Sequence, residues 1–195
     1  MRAPERALRV VTVNGSPSET SKTAALAQVA VDVLRASLAD DAVAVADERI
    51  DVYRLGPDFS GALEREGIAP EVEAVLRRVE EADLVIAAAP VFRGSYPGLF
   101  KHFFDLVDQY ALANTPVLIM ATGGGEHHAL VLEHAMRPLF AFFQALTLPV
   151  AVFAASGDFD GTLLLNPRVH GRIEMAVSDL RDLLIRRSVE LARSA

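Results

Sequence analysis

The fold is decided by one stretch of the chain, Asp83-Leu-Val-Ile-Ala-Ala-Ala-Pro-Val-Phe-Arg-Gly-Ser-Tyr-Pro-Gly-Leu-Phe-Lys101. Its first half is a short apolar run without alternation, which is typical of a strand buried on both faces. The run stops at Pro90, and a loop punctuated by glycine and proline follows. Beyond the loop, apolar residues recur on one helical face at Phe100, Phe103, Phe104 and Val107. This order of elements is how a ligand crevice forms at the carboxyl edge of a parallel sheet, and the alternative is an ordinary strand-to-helix connector.

Composition restricts the class of protein and its partners. The chain has 195 residues, enough for one α/β domain with a full core, and we predict a single domain over 1–195. Hydrophobic residues make up 51% of it, which excludes a disordered chain. The lack of cysteine excludes disulfides and thiolate chemistry. The net charge of −7 argues against nucleic acid as the main partner.

The sequence also bears on location. No apolar run approaches the ~18 residues of a membrane-spanning helix, so no membrane partner is expected. The start, 1–6, lacks the apolar core of a signal peptide, and nothing demands an oxidising compartment. We therefore expect a cytoplasmic protein, with loose ends at 1–7 and 193–195.

Apolar runs and helical spacings alternate along the chain. Strands are predicted at 8–14, 49–55, from Asp83, 116–122 and 149–154. Helices are predicted after the loop 15–23, from Pro70, after Pro97, over about 129–146 and from Asn166-Pro167, with a long loop at 56–69. Five strands alternating with five helices indicate an α/β fold with a doubly wound parallel sheet. Right-handed crossovers favour the flavodoxin-like order 2-1-3-4-5, which places the crevice between the ends of strands 1, 3 and 4.

The first loop at that edge is rich in hydroxyl groups. The run Gly15-Ser-Pro-Ser-Glu-Thr-Ser-Lys-Thr23 contains several serines and threonines and opens a helix. Hydroxyls and the N–H groups of a helix N-terminus suit a phosphate, and Lys22 adds a cation. The spacing matches neither a Walker A loop nor the G-x-G-x-x-G fingerprint. The alternative is a Ser/Thr-rich helix cap.

The second and third loops suit a flat heterocycle. The second, 90–96, offers the aromatic face of Phe92, the cation of Arg93 and backbone donors freed by Gly94. The third, 122–125, allows backbone to approach a ligand closely because glycine has no side chain, although a flexible turn is the alternative. A phosphate site beside a planar-ring site points to FMN.

Three segments of the chain carry a family resemblance. The segments 14–23, 89–101 and 121–128 resemble the NAD(P)H-dependent FMN reductases of the flavodoxin-like superfamily. More narrowly, the chain is similar to the reductase components of two-component sulfonate monooxygenase systems, and 130–149 resembles the methanesulfonate-type member. The resemblance implies hydride transfer from NADH or NADPH to FMN. It also implies that reduced FMN leaves to serve a flavin-dependent monooxygenase.

The resemblance further implies which residues bind the flavin. The phosphate would be held by Ser16, Ser21, Lys22 and Thr23. The isoalloxazine ring would be lined by Pro90, Val91, Phe92, Arg93, Gly94 and Ser95, and contacted from the other side by Thr122, Gly123 and Gly124. His128 is expected to cap or flank the flavin loop. Two residues depart from the family pattern: Asn14 stands where serine is more usual, and Phe92 replaces a more frequent tyrosine.

The predicted helix over 129–146 is apolar on most sides, so we expect it to contact a second subunit in a homodimer or homotetramer. Pro138 inside it lacks an N–H and crowds the carbonyl of His134, which a one-residue π-bulge would relieve. The resemblance agrees, since sulfonate-system reductases carry an inserted residue in a π-helix here. It implies that His134 belongs to an element that releases FMN, and the alternative is a kinked helix with His134 at a subunit contact.

Other chemistry is less favoured by the sequence. The histidines show no metal-ligand spacing, so no metal site is expected. No catalytic acid or base is assigned, because FMN itself carries the hydride chemistry. Two other classes of protein stay open. One is an NAD(P)H:quinone or azo reductase that keeps its flavin, and the other is a flavodoxin-type electron carrier.

Overall fold

The structure, a computed structural model that describes residues 7–41 and 43–194, is built on a parallel sheet between two layers of helices. The described strands are β1 (Leu8–Asn14), β2 (Val45–Asp51), β3 (Leu84–Pro90), β4 (Pro116–Gly123), β5 (Leu146–Thr147), β6 (Val152–Ala155), β7 (Phe159–Asp160) and β8 (Leu163–Leu164). The described α-helices are α1 (Lys22–Leu38), α2 (Pro57–Ser60), α3 (Pro70–Glu80), α4 (Gly98–Leu106), α5 (Arg137–Phe142) and α6 (Pro167–Ser194). A π-helix, Leu132–Met136, directly precedes α5.

The sheet has the predicted flavodoxin-like order, β2-β1-β3-β4-β5, and its strands pair in parallel. The fifth position is filled twice, because β5 pairs with the start of β4 and β6 pairs with its end. β1, β3 and β4 are buried along almost their whole length, as their uninterrupted apolar runs predict. Their carboxyl ends therefore meet at one edge, where the predicted loops emerge.

A cluster of phenylalanine rings holds α4 against the sheet behind the second loop. Phe100, Phe103 and Phe104 are almost completely buried, which confirms the predicted apolar face. The Phe104 ring lies edge-on to Phe140 of α5, with ring centroids 4.9 Å apart. Burial of one such side chain contributes about 1.5–3 kcal/mol to folding, so α4 gives the loop before it a rigid base.

The bounds of two polar segments near the sheet edge were predicted wrongly. The strand expected at 49–55 runs from Val45 to Asp51 and continues as a 3₁₀ turn. Its bounds were misjudged because apolar and polar residues alternate only weakly in a half-exposed edge strand. The segment expected to be a loop at 56–69 contains the short helix α2, which begins with Pro57 at a position that suits proline.

The predicted helix over 129–146 is also wrong in its bounds. In its place the chain forms a 3₁₀ turn at Glu126–His128, then the π-helix and then α5, which ends at Phe142. Gln144 has a positive φ of 55°, a left-handed conformation that terminates helices. The chain then enters β5, and the strand expected at 149–154 is β6 at Val152–Ala155.

The π-helix confirms the register shift expected from the proline. The N–H of Arg137 donates to the carbonyl of Leu132, five residues back. Pro138 follows in the first turn of α5, where a missing N–H is tolerated. His134 lies in the middle of the π-helix and is exposed.

Both chain ends were expected to be loose, at 1–7 and at 193–195. Residues 1–6 and 195 lie outside the described residues, and Ala7 precedes β1 without regular structure. Residues 193 and 194 belong to α6, so the prediction of a loose end there is wrong. Within the described ranges, no helix has both the length and the hydropathy that a membrane span requires.

Arg65 ties the segment after α2 to α3. Its guanidinium donates to Glu73 through Nε at 2.8 Å and Nη2 at 2.9 Å, and it also donates to Glu80. The hydrogen bonds from Arg65 hold the pKa of Glu73 below its ordinary value, with the attraction between the charges adding to the effect. This cluster is partly shielded from solvent, and it ties the segment after α2 to α3.

We predict that Arg65→Met lowers the free energy of unfolding by about 2 kcal/mol at pH 7, because two carboxylates lose charged donors. A lowered folded-state pKa of Glu73 gives stability that is present above its unfolded value of about 4.3 and is lost as pH falls through the folded value. The difference between parent and variant, measured by urea unfolding, should therefore shrink below about pH 4.

Arg77→Met is the matched control, since Arg77 pairs with the same Glu73 from an exposed position. It should cost no more than about 0.5 kcal/mol. An equal loss in both variants, or a loss in Arg65→Met that is independent of pH, would contradict this account of the cluster.

Candidate functional site

Three loops meet at the carboxyl edge of the sheet and are joined there by backbone hydrogen bonds. The Gly15 N–H donates to the Ala88 carbonyl at 2.8 Å, which links the ends of β1 and β3. The Val91 N–H donates to the Thr122 carbonyl at 2.7 Å, which links the ends of β3 and β4. The loops therefore start from fixed positions relative to one another.

A crevice of about 570 Å³ lies between the first loop and the ends of β3 and β4. Its lining includes these predicted site residues: Ser16, Ser21, Lys22, Thr23, Pro90 and Thr122. Ser18 and Thr20 add further hydroxyls from the same loop. The volume falls in the range of pockets that hold small organic ligands. Seven of the ten described residues that line the crevice carry a hydroxyl group.

The N-terminus of α1 opens into this crevice. Ser21 is the N-cap, and its Oγ accepts the Ala24 N–H at 3.1 Å. The N–H groups of Lys22 and Thr23 lie too early in the helix to reach a carbonyl within it. The first turn of α1, which the structure describes in full, carries no acidic side chain. Serine capping and anion binding are therefore compatible here, and the helix dipole favours an anion.

The first loop is linked to the third by two buried hydroxyls. Thr23 Oγ1 and Thr122 Oγ1 are 2.6 Å apart, and both residues are almost fully buried. Only one hydroxyl donates in this bond, so the other keeps its proton for a further acceptor. The pair can thus brace the crevice and still donate one hydrogen bond to a ligand.

Lys22 lies at the rim and contacts a hairpin that was not predicted from the sequence. Its Nζ donates to the Ser156 carbonyl at 3.1 Å and lies 5.6 Å from the centroid of the Phe159 ring. The hairpin is β7–β8, whose turn, Gly161 and Thr162, forms one wall of the crevice. The Asp160-Gly161 dipeptide between apolar residues was the available signal for this turn.

The second loop is a tight turn. The Phe92 N–H donates to the Ser95 carbonyl at 2.7 Å, and the Ser95 N–H donates back to Phe92 at 3.2 Å. Arg93 and Gly94 between them both have positive φ, of 51° and 88°. The expectation that Gly94 frees backbone donors is therefore wrong for the amides of Phe92 and Ser95. Residue Phe92 is 45% exposed, so its ring is accessible for stacking on a ligand.

The predicted ring-binding residues other than Pro90 and Thr122 do not line the crevice. Among the described residues, Val91, Phe92, Arg93, Ser95, Gly123 and Gly124 lie outside the lining of the crevice. Gly94 and His128 line a separate cavity of about 290 Å³, together with His127 and His134. No group of residues in the described ranges forms a metal-binding cluster.

A larger cavity, of about 800 Å³, lies between α4 and the segment 134–143 and reaches the end of the second loop at Tyr96. Tyr96, Phe104, His134 and Phe142 are part of its lining, and burial raises the pKa of the Tyr96 phenol. It lacks the helix N-terminus and the hydroxyl set that distinguish the crevice. We therefore place the candidate ligand site at the sheet edge, although the cavity there is smaller.

Known proteins resemble this chain over most of its length. The family model described as NADPH-dependent FMN reductase matches residues 8–160. "NADH-dependent FMN reductase SfnF" of Pseudomonas fluorescens is 44% identical over 171 residues, which cover 88% of this chain and 89% of that protein. "FMN reductase (NADPH)" of Pseudomonas aeruginosa is 45% identical over 168 residues, which cover 86% of this chain and 88% of that protein.

Solved structures resemble the fold over most of its length. An oxidoreductase from Corynebacterium diphtheriae superposes with a TM-score of 0.85 at 31% identity and covers 92% of this chain and 98% of its own. The apo form of an NADH:FMN oxidoreductase superposes with a TM-score of 0.76 at 28% identity and covers 90% of this chain and 89% of its own.

Gly15 gives a test of how tightly the base of the site is packed. A Cβ at this position would lie 2.7 Å from Cδ2 of the buried Phe100 ring. We predict that Gly15→Ala lowers the free energy of unfolding by about 1–3 kcal/mol, because the ring has no room to move. Gly157→Ala is the control, since its Cβ would meet no described atom within 4 Å. Equal stability of the two variants in urea would contradict the packing described.

Proposed function

This chain belongs to the NADPH-dependent FMN reductase family, and from that premise we propose that it reduces FMN in the crevice at the sheet edge. It is an oxidoreductase whose cofactors or substrates are FMN and NAD(P)H. The observation that carries the assignment of the site is the crevice itself, in which hydroxyl groups surround the N-terminus of α1.

The phosphate of FMN is assigned to the first loop. A phosphate dianion needs several donors and a positive field, and the first turn of α1 offers both. Lys22 supplies a cation at the rim, and Ser16, Ser21 and Thr23 supply hydroxyls in the lining. Riboflavin lacks the phosphate, so it should gain little from this part of the site.

The isoalloxazine ring is assigned to the second and third loops. Phe92 presents a half-exposed aromatic face, and Arg93 adds a cation at the tip of the turn. Gly123 and Gly124 allow the third loop to approach the ring from the other side. When bound, FMN accepts a hydride from the nicotinamide. The residues of the chain hold and align the two rings, so no side chain is assigned as acid or base.

We assign the enzyme to the supply of reduced FMN to a flavin-dependent monooxygenase in the cytoplasm. The relatives named SfnF and SfnE support a role of this type, as does the similarity to sulfonate-system reductases. The π-helix supports it further, because His134 within it lines the same cavity as Gly94 and His128. A change in this helix can therefore be transmitted to the ring loops, and we assign the π-helix to FMN release.

The same segment is proposed to form the contact between subunits of a homodimer or homotetramer. Leu130 and Phe142 are 62% and 65% exposed, and the 800 Å³ cavity opens beside Phe142. Apolar side chains exposed to this degree along one segment are typical of a surface that another protein covers. An oligomer would bury them and would place the π-helix near the interface.

The function is tested by NADH and NADPH oxidation with free FMN, riboflavin and a quinone as acceptors. FMN should be the best acceptor and should dissociate after reduction. Ser21→Ala with Thr23→Ala should weaken FMN binding at least tenfold, because charge-assisted bonds are worth about 1.5–3 kcal/mol each. Riboflavin binding, titrated on the same variant, is the internal control and should change by less than about twofold.

Equal weakening of FMN and riboflavin would refute the assignment of the phosphate to the first loop. Tight retention of FMN with the quinone as preferred acceptor would support the flavin-retaining reductase instead.

The release element is tested by deleting His134. We predict that the deletion removes the extra residue of the π-helix, restores an α-helical register and yields protein that purifies yellow with bound FMN. Transfer of reduced FMN to a monooxygenase should fall. His134→Ala is the control and should have a smaller effect, because the register stays shifted. A folded deletion variant that purifies colourless and releases reduced FMN at the parent rate would rule out this role.

A further inference from the structure

We propose that Asn14 is a positioning residue for FMN binding. In this proposal, which rests on the proposed function, its side-chain amide holds the first loop in the shape that accepts the phosphate. Asn14 does not line the crevice in the described part of the chain, so it acts through the loop and not by contact with the flavin. Its own orientation is set by Asp51 on the neighbouring strand.

The placement of Asn14 follows from the sheet. It is the last residue of β1, and Asp51, the last residue of β2, is its partner in the register of the two parallel strands. Side chains at matching positions of adjacent strands lie on the same face, one strand spacing apart. Asn14 is 1% exposed, so its polar atoms need partners within the protein.

Both ends of the amide are satisfied. Nδ2 of Asn14 donates to Oδ1 of Asp51 at 2.7 Å. Oδ1 of Asn14 accepts the N–H of Ser16 at 3.2 Å, a bond that begins the turn into the first loop. A flipped amide would place its oxygen against the carboxylate and its NH₂ against the N–H, so only one orientation is stable.

Asp51 is in turn held by arginine. Its Oδ2 accepts hydrogen bonds from Arg49, through Nε at 3.2 Å and Nη2 at 3.1 Å. Arg54 lies 3.9 Å from the same oxygen and 3.8 Å from Glu19, which belongs to the first loop. These arginines offset the negative charge that Asp51 would otherwise present near a bound phosphate.

The loop beyond Asn14 depends on this anchor. With its N–H bound by Asn14, Ser16 turns its Oγ toward the N–H of Ser18, at 3.3 Å. The loop is therefore shaped before any ligand arrives, and the amides at the start of α1 are left to bind the phosphate. Without the anchor, the loop would become ordered only when a ligand binds, and the entropy lost would weaken the binding of FMN. A ligand without a phosphate does not use this loop, so its affinity would stay the same.

The residue type matters at this position. An aspartate would place a second carboxylate against Asp51, and like charges at this distance repel. A serine can accept the Ser16 N–H but is too short to reach Asp51 as well. Asparagine supplies a donor and an acceptor on one planar group, as the two partners require.

The experiment measures dissociation constants for FMN and riboflavin on the full chain. Asn14→Ala should weaken FMN binding about tenfold, because one hydrogen bond is lost together with the order that it gives to the first loop. Riboflavin binding should weaken by less than about twofold. Asn14→Ser should recover part of the FMN affinity. If Asp51 acts through Asn14, adding Asp51→Ala to Asn14→Ala should cause no further loss.

Asn166→Ala is the matched control. Asn166 makes the same pair of bonds at the start of α6, from Nδ2 to Asp158 at 2.6 Å and from the Arg168 N–H to its Oδ1 at 2.9 Å. It should lower thermal stability and leave the ratio of FMN to riboflavin affinity unchanged.

Three results separate the hypotheses. A parent protein that binds both flavins equally would refute the proposed phosphate site itself. If the parent prefers FMN to riboflavin, and Asn14→Ala and Asn14→Ser show the same preference as the parent, the role of Asn14 alone would be overturned. The same loss of preference in Asn166→Ala would also overturn it, because the effect would then be general destabilisation.

Discussion

The parallel pairing of β1, β3 and β4 is the interaction on which the rest of the structure depends. It brings the ends of these strands to one edge, and the bonds from Gly15 to Ala88 and from Val91 to Thr122 extend the pairing into the loops. The N-terminus of α1 then opens into a crevice that the ends of β3 and β4 also line, and the aromatic turn and the glycine turn begin beside it. Each loop alone would be a common connector between a strand and a helix. The loops can act on one ligand only because the pairing of the strands places them side by side.

Packing on one face of the sheet connects the crevice to the outer surface. Phe104 packs edge-on against Phe140, so α4 and α5 belong to one packed layer, and α4 begins shortly after the turn that includes Phe92. The π-helix lies in the same layer, next to Gly94 and His128. The exposed apolar surface near Phe142 and the second loop therefore rest on the same layer of helices. Such an arrangement is needed if subunit assembly and flavin release are to influence each other.

The sequence predicted the parts of the fold that follow from long apolar patterns. β1, β3, β4, α1 and α6 were found because their buried faces repeat over several turns or residues. β2 was displaced because an edge strand is half exposed, and the β7–β8 hairpin was missed because strands of two residues carry almost no pattern. The bond between Thr23 and Thr122 could not be predicted, since it joins residues 99 positions apart through tertiary structure alone.

The location of the flavin is tested directly by a crystal structure of the chain with FMN. The phosphate should lie within about 3 Å of the N–H groups that begin α1, with the ring beside Phe92 and the third loop. FMN in the larger cavity near His134 and Phe142, with the crevice at the sheet edge unused, would contradict this placement.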